Sequence, residues 1–361
     1  MSGYLYKDFI NCIYDNPLII LIYSLLFSFF TLFINRKQVK PILYTIILLI
    51  IIVLGYCLFT NNLLYFLLSI EIYNLLYILL LYNTSDNSSF LAEAKKLSLL
   101  SMVISCIMVF GTTLVLLSNH NLYFNSIDIY NPLTKLGLSF VLIGILFKLC
   151  VFPFHIWILD IYKKSPYYIV LISDCFLKLL LLRILLNFIA KISIDSFNNI
   201  FLIFGTISMF LGIILSIKEN NIKRFLGLFN ISHIGLLLLI LSINTIDAYV
   251  SCFGYLLMYS ICSLVFLFST KDNIEYFREF KTNNISNKTL NTSIISLLAM
   301  ICIPPFHTFL SKIDLILIVL NNNKYTVLIL STVYFILEII VIIYKLRFLI
   351  NNTKIQSSYQ N

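Results

Sequence analysis

Apolar residues fall in blocks of eighteen or more along the chain, with short polar stretches between them. As a helix, a block of that length covers the roughly 30 Å hydrocarbon core of a bilayer. The pattern predicts eleven spans, at about 16–34, 42–60, 63–82, 97–118, 137–159, 168–189, 200–217, 225–243, 248–270, 293–320 and 327–348. Only 83–96, 119–136 and 271–292 form longer connections, and none of them is long enough for a soluble catalytic domain. The expected fold class is therefore all-α: a polytopic membrane protein of about eleven transmembrane helices, in one transmembrane domain over residues 1–361.

Composition agrees with the pattern. Of the 361 residues, 60% are hydrophobic and 11% charged, against about a quarter charged in soluble domains. Seventeen of the 25 Lys and Arg fall on one side of the predicted topology, four on the other and four inside spans. Basic loops mark the inner face, so the N-terminus is expected outside and the C-terminus inside, in the matrix or cytoplasm. The net charge of +9 then reads as a topological signal, with solvated loops or anionic-lipid contact rather than nucleic-acid binding. Met1 to Asp15 carries no pattern of a secretory signal or Arg-rich transit peptide. Heavy use of Ile, Asn, Phe, Tyr and Lys points to an AT-rich, organellar gene. The eight cysteines lack CxxC spacing and sit mostly in apolar runs, so no metal or disulfide framework is expected.

Charges inside the spans change the picture. Lys148, Lys178, Arg183 and Lys312 lie there, with Glu71, Asp174, Asp314 and Glu338 also in apolar context. Each charge at a helix centre costs roughly 2.5–3.5 kcal/mol on insertion scales, so such groups must face the bundle interior or a hydrated cavity. A buried lysine can hold or release its proton according to how near a carboxylate lies, whereas arginine stays charged. That makes Lys148, Lys178 and Lys312 candidate proton carriers and Arg183 a fixed counter-charge. Asp174 lies one helical turn before Lys178 on the same face, where it either tunes that lysine or clamps it.

Proline adds a second signal. Pro17, Pro41, Pro132 and Pro166 sit at span ends, but Pro153 in FKLCVFPFHIW and Pro304–Pro305 in CIPPFHTFLSK fall inside spans. Internal prolines break helices where neighbours or water satisfy the freed carbonyls, and broken helices mark transport sites in many carriers. Each break has a lysine within two turns. His155 and His233 are candidate relays between a lysine and water, with hydrogen-bonded packing as the equal alternative; for His307 packing is preferred.

At these residues the chain resembles NADH dehydrogenase subunit 2 of respiratory complex I. LFKLCVFPFHIWILDIYKKSP (146–166) resembles the family signature of a lysine before Pro-Phe-His-x-Trp. LLSIEIYNLLYILL carries an intramembrane glutamate at Glu71, IKENNIKRFLGLFNISHIGLLLL (217–239) is similar to the family's Asn-x-Lys-Arg stretch with its histidine, and CIPPFHTFLSK (302–312) to its Pro-Pro-x-x-x-Phe-x-x-Lys. The resemblance implies an antiporter-like fold of inverted repeats with two broken helices. The first repeat is expected near 97–243, preceded by the Glu-bearing helix 63–82, and a partial second one near 248–348. It also implies roles: Glu71 with Lys148 as a modulating ion pair, Lys178 as central relay, Lys312 as terminal proton site, and His155 and His233 on a hydrated axis. Other membrane-arm subunits, including neighbouring antiporter-like ones, and lipids would be its partners. The implied location is the mitochondrial inner membrane, with the N-terminus towards the intermembrane space. No cofactor is expected in this chain; NAD, FMN, iron–sulfur clusters and ubiquinone belong to the rest of such a complex. A cation/proton antiporter subunit and a non-pumping membrane-arm spacer are the alternatives.

The chain departs from the family pattern at Leu159, where proline is expected, at Lys163–Lys164 in place of Glu-Gly, and at Phe229–Asn230 in place of Tyr-Ser. Asp174 and His307 are additions. Relative to fourteen-helix members, two helices are missing before the Glu71 span and one after Glu338.

Overall fold

The computed structural model describes residues 41–84, 88–128, 130–192, 197–270, 276, 277, 279, 287–301 and 306–358. The first expected span, 16–34, and the pair Pro304–Pro305 lie outside them. The described residues are nearly all helical and pack into two compact units, one ending at Asn198 and one starting at Asn199.

The first unit holds α1 (Pro41–Phe59), α2 (Leu63–Thr84), α3 (Ser88–Asn119), α4 (Pro132–Lys148), α5 (Ile156–Lys164), α6 (Tyr167–Ile172) and α7 (Lys178–Ile192). The second holds α8 (Asn198–Lys218), α9 (Ile222–Leu241), α10 (Ile246–Ser269), α11 (Asn287–Ile301), α12 (His307–Asn321) and α13 (Tyr325–Ser358). Among the described residues, seven helices are long and apolar enough to cross a membrane: α1, α2, α3, α8, α9, α10 and α13. They correspond one for one to seven of the expected spans.

Three other expected spans are divided. The span expected at 137–159 starts earlier, at Pro132, because Asn131 caps it: the side chain accepts from Leu133 N–H at 3.0 Å, and Pro132 fills the first helical position. α4 then ends at Lys148. Cys150 adopts φ 61°, Val151 N–H returns to the Leu146 carbonyl at 3.2 Å and Cys150 N–H to that of Phe147 at 3.0 Å. This is a Schellman turn with cysteine where glycine is usual, a left-handed residue that costs roughly 1–2 kcal/mol. Pro153 follows in the non-helical link before α5. The span expected at 168–189 runs through a π-helical turn, Ser173–Leu177, between α6 and α7. The third, 293–320, is α11 and α12.

One polar connection proves helical. α3 begins at Ser88, nine residues before the expected span, through Ala92, Glu93, Ala94, Lys95 and Lys96, all strong helix formers. Glu93 accepts from Lys96 at 3.1 Å and from Lys164, at the end of α5, at 2.9 Å.

In the second unit, all of α9 except Arg224 is buried, as befits a helix at the centre of a bundle. Close approach requires glycine: a Cβ on Gly235 would lie 2.4 Å from the Met209 backbone nitrogen of α8. Small residues allow such backbone contact between membrane helices, where packing rather than the hydrophobic effect drives association. α13 is tied to the carbonyl end of α8 by Lys345, whose ammonium donates to the carbonyl of Ile217 at 2.9 Å and to that of Glu219, a favourable place for a cation.

Candidate functional site

In the first unit, the stop of α4 places Lys148 at a helix carbonyl end, where the dipole favours a cation. Its ammonium donates to the Ile70 carbonyl of α2 at 2.9 Å and lies 5.6 Å over the Tyr73 ring. The Glu71 carboxylate sits 3.8 Å from it, beyond hydrogen-bond length, and Glu71 Oε1 is buried with no hydrogen-bond partner among the described residues. The two groups form an ion pair without a hydrogen bond.

Lys178 starts α7 directly after the π-helical turn, a feature often found at functional sites. It donates to Asp174 Oδ1 at 2.9 Å, and the Tyr162 hydroxyl of α5 donates to the same oxygen at 3.1 Å. Ser173 in turn bonds the Tyr162 hydroxyl at 3.1 Å. Both lysines line one partly open pocket of ≈ 20 Å³, shared with Tyr73, Tyr77, Trp157 and Ser173. That volume holds about one water. The buried Trp157 Nε1–H has no acceptor among the described residues, so a water there would gain a donor as well as two lysines.

In the second unit, Lys312 projects from α12 and donates to the last carbonyl of α11, Ile301, at 3.3 Å and to Glu338 Oε2 of α13 at 2.5 Å. Its ammonium lies 4.7 Å over the Phe335 ring. His233, fully buried on α9, has its Nδ1 2.6 Å from the Tyr255 hydroxyl of α10 and 3.2 Å from that of Tyr334 on α13. Its Nε2 is 3.9 Å from Glu338 Oε1.

The structure thus brings Glu71 to Lys148, places Lys148 and Lys178 on one cavity, and joins Lys312 to the surroundings of His233 through Glu338. His155 stands apart: its ring stacks on Phe152 at 5.8 Å, and Nδ1 makes no hydrogen bond among the described residues. Arg183 is buried on α7. The sequence flagged Glu338 only as a misplaced charge, and it passed over Tyr162, Trp157, Tyr255 and Tyr334. The spacing of Tyr334 and Glu338, one helical turn apart, was the available signal.

Compared with known proteins, the chain is 26% identical over 273 residues to NADH-quinone oxidoreductase subunit N of Hydrogenovibrio crunogenus, covering 71% of this chain and 57% of that protein. It is 29% identical over 308 residues to subunit N of Pelagibacter ubique, covering 79% and 65%. Against the chloroplastic NAD(P)H-quinone oxidoreductase subunit 2 of Mesostigma viride it is 31% identical over 279 residues, covering 71% and 55%. The chain therefore spans less than two thirds of the length of these relatives. The NADH:quinone oxidoreductase/Mrp antiporter transmembrane family matches residues 60–337. The chain belongs to this family.

Solved structures of NADH:quinone oxidoreductase and Mrp antiporter assemblies share the fold. A chain in respiratory complex I from Thermus thermophilus with bound aureothin superposes with a TM-score of 0.76 at 20% identity, covering 91% of this chain and 74% of that one. A chain of the Mrp complex from a Dietzia species gives 0.81 at 15% identity, covering 91% and 64%. The antiporter-like helical membrane fold is shown by these likenesses. The family match contains Glu71, Lys148, Lys178, His233 and Lys312, and ends one residue before Glu338.

Proposed function

We propose that the chain is a proton-translocating membrane-arm subunit of an NADH:quinone oxidoreductase, driven by quinone reduction elsewhere in the complex. The observation that carries this reading is the water-sized pocket lined by both Lys148 and Lys178, with Glu71 held 3.8 Å from the first lysine. In this reading, approach of Glu71 stabilises the Lys148 ammonium, and its withdrawal lets the proton pass through a cavity water to Lys178. Asp174, with Tyr162 behind it, stabilises the charge on arrival. Lys312 is the terminal proton site of the second unit, and His155 and His233 serve hydrated parts of the path. Neighbouring antiporter-like subunits and lipids would surround the chain in the mitochondrial inner membrane, with its C-terminus in the matrix. NAD, FMN, iron–sulfur clusters and ubiquinone would be held by other subunits.

A second reading is favoured by one contact. The 2.9 Å bond from Lys178 to Asp174 would keep the ammonium charged and make the chain a spacer that does not pump. Lys178→Ala in the assembled complex separates the two. The proposal expects NADH oxidation to slow and protons moved per NADH to fall; unchanged values favour the spacer.

A further inference from the structure

Glu338 is fully buried on α13, and its two oxygens meet different partners. Oε2 accepts from the Lys312 ammonium of α12 at 2.5 Å, while Oε1 points at His233 Nε2 of α9 across 3.9 Å. Both Oε1 and Nε2 are buried atoms with no hydrogen bond among the described residues. An unsatisfied acceptor and an unsatisfied imidazole nitrogen facing each other inside a helix bundle is costly. The gap is about 1 Å longer than an ordinary hydrogen bond, short enough for side-chain rotation to close. The far side of His233 is already engaged, with Nδ1 against the Tyr255 and Tyr334 hydroxyls. With Nδ1–H donated to a tyrosine oxygen, Nε2 presents a lone pair towards Glu338.

We propose that Glu338 is a proton shuttle that connects Lys312 to His233. The Lys312 ammonium gives a proton to Oε2, leaving a neutral amine and a carboxylic acid. The acid then turns about its terminal torsion, which has a broad two-fold profile, and gives the proton to His233 Nε2. Glu338 returns to carboxylate and the imidazole becomes imidazolium, which can release its Nδ1 proton through the Tyr255 hydroxyl. No oxidant or added group is involved. Tyr334, one turn before Glu338 on the same helix, reaches His233 and the Ser232 hydroxyl, the latter at 3.0 Å. It fixes the imidazole relative to the carboxyl, so Tyr334 is a positioning residue. The shuttle rests on the proton-translocation reading above and adds to it the direction a proton takes from Lys312.

The test uses the assembled complex in membranes. Glu338→Gln keeps size and hydrogen bonding but cannot carry a proton between its two partners. It should assemble normally, lower turnover by about tenfold or more, and lower the protons moved per NADH; Glu338→Asp should recover part of both. Redox-induced infrared difference spectra should contain a protonated-carboxyl band that Glu338→Gln removes and Glu338→Asp shifts, a signal that a purely structural ion pair would not give. Wild-type turnover, pumping and spectra in Glu338→Gln would overturn the shuttle. Were Glu338→Gln not to assemble, Glu338→Asp decides: slower pumping with a shifted band supports the shuttle, and wild-type behaviour overturns it. Lys178→Ala is measured alongside. Loss of pumping there, with wild-type Glu338→Gln, overturns the shuttle alone, whereas no loss in either overturns the functional reading.

Discussion

Lys178 and Lys312 are both buried ammonium groups on a carboxylate, but their partners are held in different ways. Asp174 is four residues before Lys178 on one continuous helical path, braced by Tyr162 and Ser173. Glu338 comes from another helix, 26 residues along the chain from Lys312. A pair within one helix keeps its geometry when helices shift, whereas a pair across helices opens with a displacement of an ångström or two. The first unit thus has a fixed pair at Lys178 and a looser contact between Glu71 and Lys148, with both lysines on one water-sized pocket. The second has a pair that helix movement controls directly, with a second acceptor waiting at His233. In the proposed mechanism, charge storage and charge switching would be separated in the first unit and combined in the second.

Removing a partner tests that contrast. Glu338→Ala leaves the Lys312 ammonium without its carboxylate, and breaking a buried pair from one side costs roughly 3–5 kcal/mol. The expected result is loss of assembly or a large drop in thermal stability of the detergent-solubilised complex. Asp174→Asn should cost less, about 1.5–3 kcal/mol, because the Tyr162 ring 5.3 Å from the ammonium and the cavity remain to stabilise it. A thermal shift as large as that of Glu338→Ala would remove the distinction between the two pairs.

Gly235→Ala displaces α9 without touching a charge. Its Cβ would meet Met209 N at 2.4 Å and Ser208 Oγ at 2.5 Å, an overpacking worth roughly 1–3 kcal/mol. Moving α9 moves His233, so proton pumping should fall more than stability does; equal losses would argue that the His233–Glu338 gap has no role. Glu93→Gln removes the ion pairs to Lys96 and Lys164 while leaving an acceptor oxygen. Those lysines are partly exposed, and such pairs contribute about 1 kcal/mol or less. Assembly and turnover should be near wild type, which would show that charge pairs in the first unit matter by position rather than by number.

Much of this architecture was legible in the sequence. Seven spans appear as continuous helices because an apolar block of membrane length has few other ways to satisfy its backbone. Asp174 beside Lys178 was readable from helical spacing alone. Glu71 beside Lys148 was not: the two are 77 positions apart, and only the family resemblance suggested the pairing. The start of α3 was missed because its first turns are polar, though rich in helix formers. Hydropathy does not see that difference. The π-helical turn and the Schellman turn at Cys150 depend on tertiary packing, and neither carries a glycine to announce it. Glu338 was visible as a charge in the wrong place, but its partners on α9 and α12 come from helix packing that periodicity does not encode.

The most direct test of the central claim, that buried lysines on mobile or fixed carboxylates carry protons, is the number of protons moved per NADH oxidised in sealed membranes. It should be measured for the wild-type complex and for Lys178→Ala at equal assembly. A lower ratio and slower turnover in the variant are predicted; an identical ratio at identical turnover would contradict the account.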